Sequence, residues 1–296
     1  MRTEMDNQNF INFKKKRDLG AMLSDTFQFL NTEWKPFFSV ILKIAIIPIV
    51  IAICAVVYYT MTSVSFMGEF SNTTNDSIYN LNFSDLVQPI LIFIVSYIIT
   101  YALITIAALG YIKSYIENKG EVNYQEIQNV TKQKFWPYVG LFFMVGIMVF
   151  FGALFCFLPG IYLGVVLSVS FCLVIFQNKS VFDAIGDSFS FIRNHWWETF
   201  GILIVVQIII LMIGFIVDLP ATLYQTADIT AIFSEQENVD LLSSFSDPIY
   251  LIFLAISYFA RFILYIVSII ISVFIYFDIK EQKNPSSDLI DEIGIE

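Results

Sequence analysis

The chain has 296 residues, of which 57% are hydrophobic and 14% are charged, and its mean hydropathy is +0.72. Soluble domains carry about 25% charged residues, so this composition lies outside their range and indicates a chain that crosses a bilayer several times. A single histidine excludes a metal centre with several imidazoles, and three cysteines without a CxxC pair exclude a disulfide framework. The net charge of −10, without an extended basic patch, gives no support for nucleic-acid binding.

A polar segment, residues 1–36, precedes the first long apolar run. We expect it to be a cytoplasmic N-terminal segment with an amphipathic helix, because apolar side chains recur there at helical spacing. No small-residue cleavage pattern follows the first apolar run, so the first span is expected to act as an uncleaved anchor. The residues that form the apolar face are Leu19, Met22, Leu23, Thr26, Phe27 and Leu30.

Five apolar runs with polar breaks between them predict an all-α membrane protein. The third run, residues 139–177, is too long for one span and carries Pro159–Gly160 near its middle. Because Pro and Gly fit the two central positions of a type II turn, we divide this run into a tight hairpin, which gives six transmembrane helices. The predicted six-helix domain covers residues 37–278, and a flexible acidic cytoplasmic tail follows at 279–296. The predicted spans are residues 37–62, 86–112, 137–158, 161–177, 197–217 and 248–277.

The distribution of Lys and Arg predicts that both termini lie in the cytoplasm. Residues 63–85, the Pro159–Gly160 turn and residues 218–247 contain no Lys or Arg, whereas the alternate loops and both termini contain them. This asymmetry indicates a multi-pass membrane protein whose basic loops and termini lie on the cytoplasmic side. The basic residues that predict the orientation are Arg2, Lys14, Lys15, Lys16, Arg17, Lys35, Lys113, Lys119, Lys132, Lys134, Lys179, Arg193, Lys280 and Lys283.

An internal repeat is present at an offset of about 162 residues. Residues 23–30 (LSDTFQFL) align with residues 185–192 (IGDSFSFI), and a weaker copy lies at residues 123–134. Each copy reads as an amphipathic helix before an odd-numbered span, so we predict three parallel helix-pair repeats with interfacial helices on the cytoplasmic side. The alternative is that these amphipathic helices pack against the cytoplasmic end of the transmembrane bundle. The interfacial anchors predicted at the repeat entries are Trp34, Trp136, Trp196 and Trp197.

Arg261 lies near the middle of the last predicted span, where an Arg costs roughly 2.5–3.5 kcal/mol. No acid is predicted at comparable depth, and the candidate acceptors are Gln207, Ser257, Tyr97 and Tyr101. One interpretation is an anion or lipid site formed by Arg261 and Gln207. The other is an internally hydrogen-bonded or snorkelling Arg that fixes helix register.

Catalytic chemistry has little support in the sequence. His195 stands beside Trp196, and no Ser or Cys nucleophile with an acidic orienting residue is spaced recognisably near it. Cys54, Cys156 and Cys172 all lie in predicted spans and behave as small apolar residues. We therefore predict no enzymatic activity, no cofactor and no metal site.

Several short motifs resemble a family of uncharacterised bacterial six-span inner-membrane proteins, which are similar to the membrane domain attached to some glycerophosphoryl diester phosphodiesterases. The resemblance covers most of the chain and implies a six-span membrane fold. It implies no phosphodiesterase activity and supplies no catalytic residues, and Lys280 stands where the pattern leads us to expect Arg. The motifs are residues 158–163 (LPGIYL), Ala184 and Ser188 ahead of Trp196 and Trp197, and residues 276–280 (YFDIK).

The functional expectation is a lipid-interacting or partner-binding membrane module without catalysis. Its expected partners are membrane lipids and proteins at the cytoplasmic face. The alternative is a transporter or channel for a small anion or amphiphile, with Arg261 on the path. An intramembrane enzyme is the third hypothesis.

Overall fold

The structure is a computed structural model that describes residues 11–71, 84–233 and 243–283. These residues form helices and turns, and no strand occurs among them. The predicted acidic tail beyond Lys283 lies outside the described residues. The helices are α1 (Leu19–Ser71), α2 (Ser84–Glu117), α3 (Tyr124–Phe155), α4 (Phe157–Leu167), α5 (Ser170–Phe176), α6 (Val181–Ile192), α7 (Trp196–Phe233) and α8 (Pro248–Lys283), with a 3-10 helix at Ser243–Ser246.

Six helical stretches in the described residues are long and apolar enough to cross a membrane. Each overlaps one predicted span, so the all-α fold with six membrane-spanning helices is confirmed. The stretches are Leu19–Phe70, Ser84–Glu117, Tyr124–Phe155, Phe157–Phe176, Trp196–Thr226 and Pro248–Lys283.

Several helices are longer than the predicted spans. The first amphipathic segment and the first span form one continuous helix of 53 residues, α1, so the predicted boundary after residue 36 falls inside a helix. Only the copy at residues 185–192 belongs to a separate helix, α6, whose last residue is followed by a turn before α7 begins at Trp196. Ser180 caps α6 by accepting a hydrogen bond from the Asp183 backbone N–H, as its sequence signature indicates.

The predicted hairpin between the third and fourth spans forms, but its turn is not at Pro159–Gly160. The break is at Cys156, whose backbone is extended (φ −166°, ψ 142°) between α3 and α4. Pro159 lies in the first turn of α4, where its missing N–H removes no intrahelical hydrogen bond, so the prediction of a type II turn is wrong. Gly160 instead allows close packing of the two helices, because a Cβ atom there would lie 2.8 Å from the backbone of Ala153.

The chain divides into two compact units, which are described separately. The first comprises Met1–Ala45, Ala102–Gln207 and Ile266–Glu296, and the second comprises Ile46–Tyr101 and Ile208–Tyr265. Large aromatic residues fill the core of the first unit, and each is less than 2% exposed: Phe13, Phe29, Phe37, Tyr111, Tyr115, Phe274 and Tyr276.

The second unit contains parts of α1, α2, α7 and α8. The hydroxyl of the fully buried Thr100 donates to the Pro48 carbonyl at 3.0 Å and so joins α2 to α1. Tyr101 packs on α8, with ring centroids 5.4 Å from Phe262 and 4.4 Å from Tyr265. Hydroxyl-to-carbonyl bonds and aromatic packing are the contacts that hold helices together where apolar burial against lipid gives no advantage.

Candidate functional site

The last three turns of α8 form the centre of the first unit. The Tyr276 ring stacks on Phe176 and Phe191, with centroid distances of 5.3 and 5.4 Å. The Gln177 side-chain amide donates to the Tyr276 hydroxyl at 3.1 Å. The motif at residues 276–280 is therefore a packing hub to which α5 and α6 are attached.

A segment before α1 is fixed against this hub, and we call residues 11–18 the N-terminal strap. Phe13 is fully buried, and its ring stacks on Phe274 at 4.6 Å with an interplanar angle of 10°. The Ile11 backbone N–H donates to the Tyr115 hydroxyl at 3.1 Å. The strap is held by a stacked aromatic ring and by backbone hydrogen bonds, so it is an ordered part of the first unit.

The Arg17 side chain folds back onto the backbone of the strap. Its side chain is only 3% exposed, and Nε lies 2.6 Å from an Asp25 carboxylate oxygen. Its guanidinium also donates to the backbone carbonyls of Asn12, Phe13 and Lys15 and lies 4.7 Å above the centroid of Phe274. The sequence predicts that Arg17 belongs to a basic cluster that sets the membrane orientation. The structure shows that its guanidinium forms an ion pair with Asp25 within the protein.

A cleft of about 800 Å³ opens beside the strap, and all of its lining residues belong to the first unit. Its apolar lining comes from α1 and α7: Leu19, Met22, Trp197 and Ile202. Met22 and Ile202 are buried, whereas Trp197 is 77% exposed and presents its indole ring to the surroundings. The volume falls in the range of small-molecule binding sites.

The charged lining of the cleft is dominated by carboxylates. Asp18 accepts a hydrogen bond from the Ala21 N–H at 2.7 Å, and Glu198 lies 3.3 Å from His195 Nδ1. Asp278 is 4% exposed and accepts hydrogen bonds from the Arg17 backbone N–H and the Gln282 amide, both at 2.8 Å. No ion pair within 4.0 Å involves Asp278 among the described residues.

Lys16 is the cleft's unpaired cation in the part of the chain that the structure describes, since Arg17 is paired with Asp25. Asp18 and Asp278 have no ion-pair partner among the described residues and Glu198 lies 3.3 Å from His195, so the carboxylates of the cleft outnumber its unpaired basic group. No sequence pattern predicts this grouping, because its members come from the strap, the start of α7 and the end of α8.

The four tryptophans predicted as anchors have different surroundings. Trp34, Trp136 and Trp197 are 52%, 76% and 77% exposed, which leaves their rings available to a surrounding phase. Trp196 instead stacks on Phe200 and on Tyr162, at 5.0 and 5.9 Å. Within the described residues its indole N–H is buried without a hydrogen-bond partner. An interfacial role for all four stays a prediction.

Arg261 has an acidic partner, and this corrects the expectation that none lies at comparable depth. Its Nη2 atom is 2.6 Å from an Asp218 carboxylate oxygen, and its guanidinium carbon is 5.6 Å from the Tyr258 ring centroid. Asp218 reads as the start of a loop because Pro220 follows, but α7 continues through Pro220 to Phe233. The other half of the predicted site, Gln207, is an exposed residue of α7 and belongs to the first unit.

The other candidate groups form no recognisable catalytic arrangement in the described chain. His195 pairs with Glu198, and the described residues contain no group of three or more His, Cys, Asp and Glu side chains that could hold a metal ion. The fold and its long apolar helices define the class as a multi-pass α-helical membrane protein. No protein-family model matches the chain, and no curated protein or solved structure matches it. The resemblance to the six-span family accordingly stays a prediction.

Proposed function

We propose that the protein is a non-enzymatic, multi-pass protein of the bacterial cytoplasmic membrane that binds a membrane phospholipid in the cleft beside the N-terminal strap. The observation that carries this proposal is the combination, in one cleft of about 800 Å³, of a charged lining with an exposed Trp197 and buried apolar residues. A phospholipid matches this lining because its headgroup is charged and its glycerol and first methylene groups are apolar.

The basic residues around the cleft support a cytoplasmic location. Lys14, Lys15 and Lys16 lie in the strap, and Lys and Arg are retained in the cytoplasm during insertion. Trp197 is at the start of α7, where an indole ring favours the boundary between headgroups and acyl chains. Both features favour a cleft at headgroup level on the cytoplasmic side, with both termini in the cytoplasm.

Transport of an anion along Arg261 is less well supported. Arg261 and Asp218 form an ion pair, so the pair presents no net charge that would attract an anion. A half-exposed ion pair that fixes the register of α7 against α8 explains the same contact. Protein partners at the cytoplasmic face are a further proposal, which no contact in the structure addresses.

The test uses a residue that can fill the cleft without disturbing its walls. Gly201 lines the cleft, and a Cβ atom at this position would have no neighbour within 4 Å. Gly214 lies in the same helix outside the cleft with the same open surroundings, so it is a matched control. We expect Gly201→Phe to reduce phospholipid retained on the purified protein, measured by native mass spectrometry, while Gly214→Phe retains as much as wild type. Equal retention by all three proteins would contradict the proposal.

A further inference from the structure

We infer that the cleft beside the N-terminal strap selects a phospholipid whose headgroup carries an ammonium group as well as a phosphate, such as phosphatidylethanolamine. This inference rests on the proposed function and adds the chemical class of the ligand. The juxtaposition that supports it is three carboxylates, one unpaired lysine and one exposed indole around a single cleft.

Asp278 is the first part of the argument. Its carboxylate is almost fully buried and has no ion-pair partner within the described chain, although each of its oxygens accepts one hydrogen bond. An ionised carboxylate can accept about four hydrogen bonds, so both oxygens retain acceptor capacity. A buried charge without a counter-ion is costly, and a bound ammonium group would supply both the charge and the missing donors.

The second part is the composition of the remaining lining. Glu198 and Asp18 add two carboxylates, and Trp197 exposes an indole face beside Glu198 in the sequence. Indole faces attract ammonium groups through the negative potential of the ring face. A purely anionic headgroup, such as that of phosphatidylglycerol, would meet these carboxylates with no ammonium to compensate them.

Lys16 is the group that would bind the phosphate of the headgroup. Its ammonium group makes no hydrogen bond or ion pair among the described residues, and it lines the same cleft as Asp278. In an ethanolamine headgroup the phosphate and ammonium are two carbons apart, so one ligand can meet both kinds of charge in the cleft. The buried Met22 and Ile202 then face the less polar part of the lipid.

The experiment offers the purified full-length protein an equimolar mixture of phosphatidylethanolamine and phosphatidylglycerol and measures the bound lipids by native mass spectrometry. We expect wild type to retain phosphatidylethanolamine in excess. Glu198→Gln should reduce the ratio about two- to fivefold, because it removes one exposed attraction to the ammonium group. Asp278→Asn should reduce the ratio at least as much, because Asp278 is buried. Glu121→Gln is the matched control, because Glu121 is exposed and lies outside the cleft.

The outcomes separate the inference from the proposed function. Lipid retention that depends on Gly201 but favours phosphatidylglycerol would overturn the ammonium selection and leave the proposed function in place. Loss of the Gly201 dependence would overturn the proposed function itself. A further arm adds phosphoethanolamine, the free headgroup compound, at the same millimolar concentration as the lipid. If it displaces the bound lipid, the free headgroup compound is the ligand and the lipid assignment is overturned. Glu198→Gln keeps the test valid if Asp278→Asn fails to fold, because Glu198 is exposed.

Discussion

The Asp278 carboxylate accepts a hydrogen bond from the backbone N–H of Arg17 at 2.8 Å, which joins the N-terminal strap to the end of α8 across almost the whole sequence. The same carboxylate lines the cleft, and the same arginine is paired with Asp25 in α1. The strap is therefore one wall of the proposed lipid site. Changes that release the strap should affect both stability and lipid retention.

Phe13 is the main apolar contact of the strap. Its ring is fully buried and stacks on Phe274, so Phe13→Ala should lower the free energy of unfolding by about 3–5 kcal/mol, from lost burial and the cavity left behind. The strap should also become accessible to trypsin at Lys14, Lys15 and Lys16, measured by limited proteolysis followed by mass spectrometry. Phe27→Ala is the control, since Phe27 is 50% exposed, and it should leave the cleavage rate close to that of wild type.

Arg17 supplies the polar side-chain contacts that hold the strap in place. Arg17→Lys keeps the positive charge but cannot reproduce the several donors that reach Asp25 and the carbonyls of Phe13 and Lys15, so we expect destabilisation of about 2–3 kcal/mol. Arg193→Lys makes the same substitution at an exposed position and should have little effect. Thermal unfolding in detergent compares the two variants, and equal midpoints would argue against a structural role for the buried guanidinium.

The six membrane helices could be predicted because each span is a local property of about 20 apolar residues. The attachment of the strap could not, because it joins Phe13 to Phe274 and Arg17 to Asp278, and no pattern in a single sequence relates positions so far apart. The recurrence of apolar residues at helical spacing from Leu19 to Leu30 predicts a helix, and one forms, but this spacing does not indicate whether the helix continues into the span.

The helix ends show a second limit of the sequence. Hydropathy places the end of the fifth span at residue 217, because Asp218 and Pro220 are polar or helix-breaking residues at a surface. In the structure α7 continues, and the Val217 carbonyl, near the proline, accepts a hydrogen bond from Ser257 of α8 at 3.5 Å. The sequence therefore predicts a loop at Asp218, the acid that pairs with Arg261 in the structure.

The pair of Arg261 and Asp218 leads to a prediction that distinguishes architecture from transport. Asp218→Asn leaves the arginine without its partner and should reduce the amount of folded protein in the membrane, whereas Asp218→Asn combined with Arg261→Gln should recover much of the loss. Quantitative immunoblotting of membrane fractions measures the recovery. A double variant less abundant than either single variant would contradict an architectural pair.

The hairpin of α3 and α4 offers a test of close helix packing with an internal control. Gly160→Ala places a Cβ atom 2.8 Å from the backbone of Ala153, so the helices must separate, and we expect a loss of about 1–3 kcal/mol of stability. Gly164→Ala lies one turn further along α4, where a Cβ atom has no neighbour within 4 Å. That substitution should be neutral or stabilising, because alanine favours the helix over glycine by up to about 1 kcal/mol. Thermal unfolding midpoints that fall equally for both variants would contradict a specific packing role of Gly160, because only its Cβ position lies against Ala153.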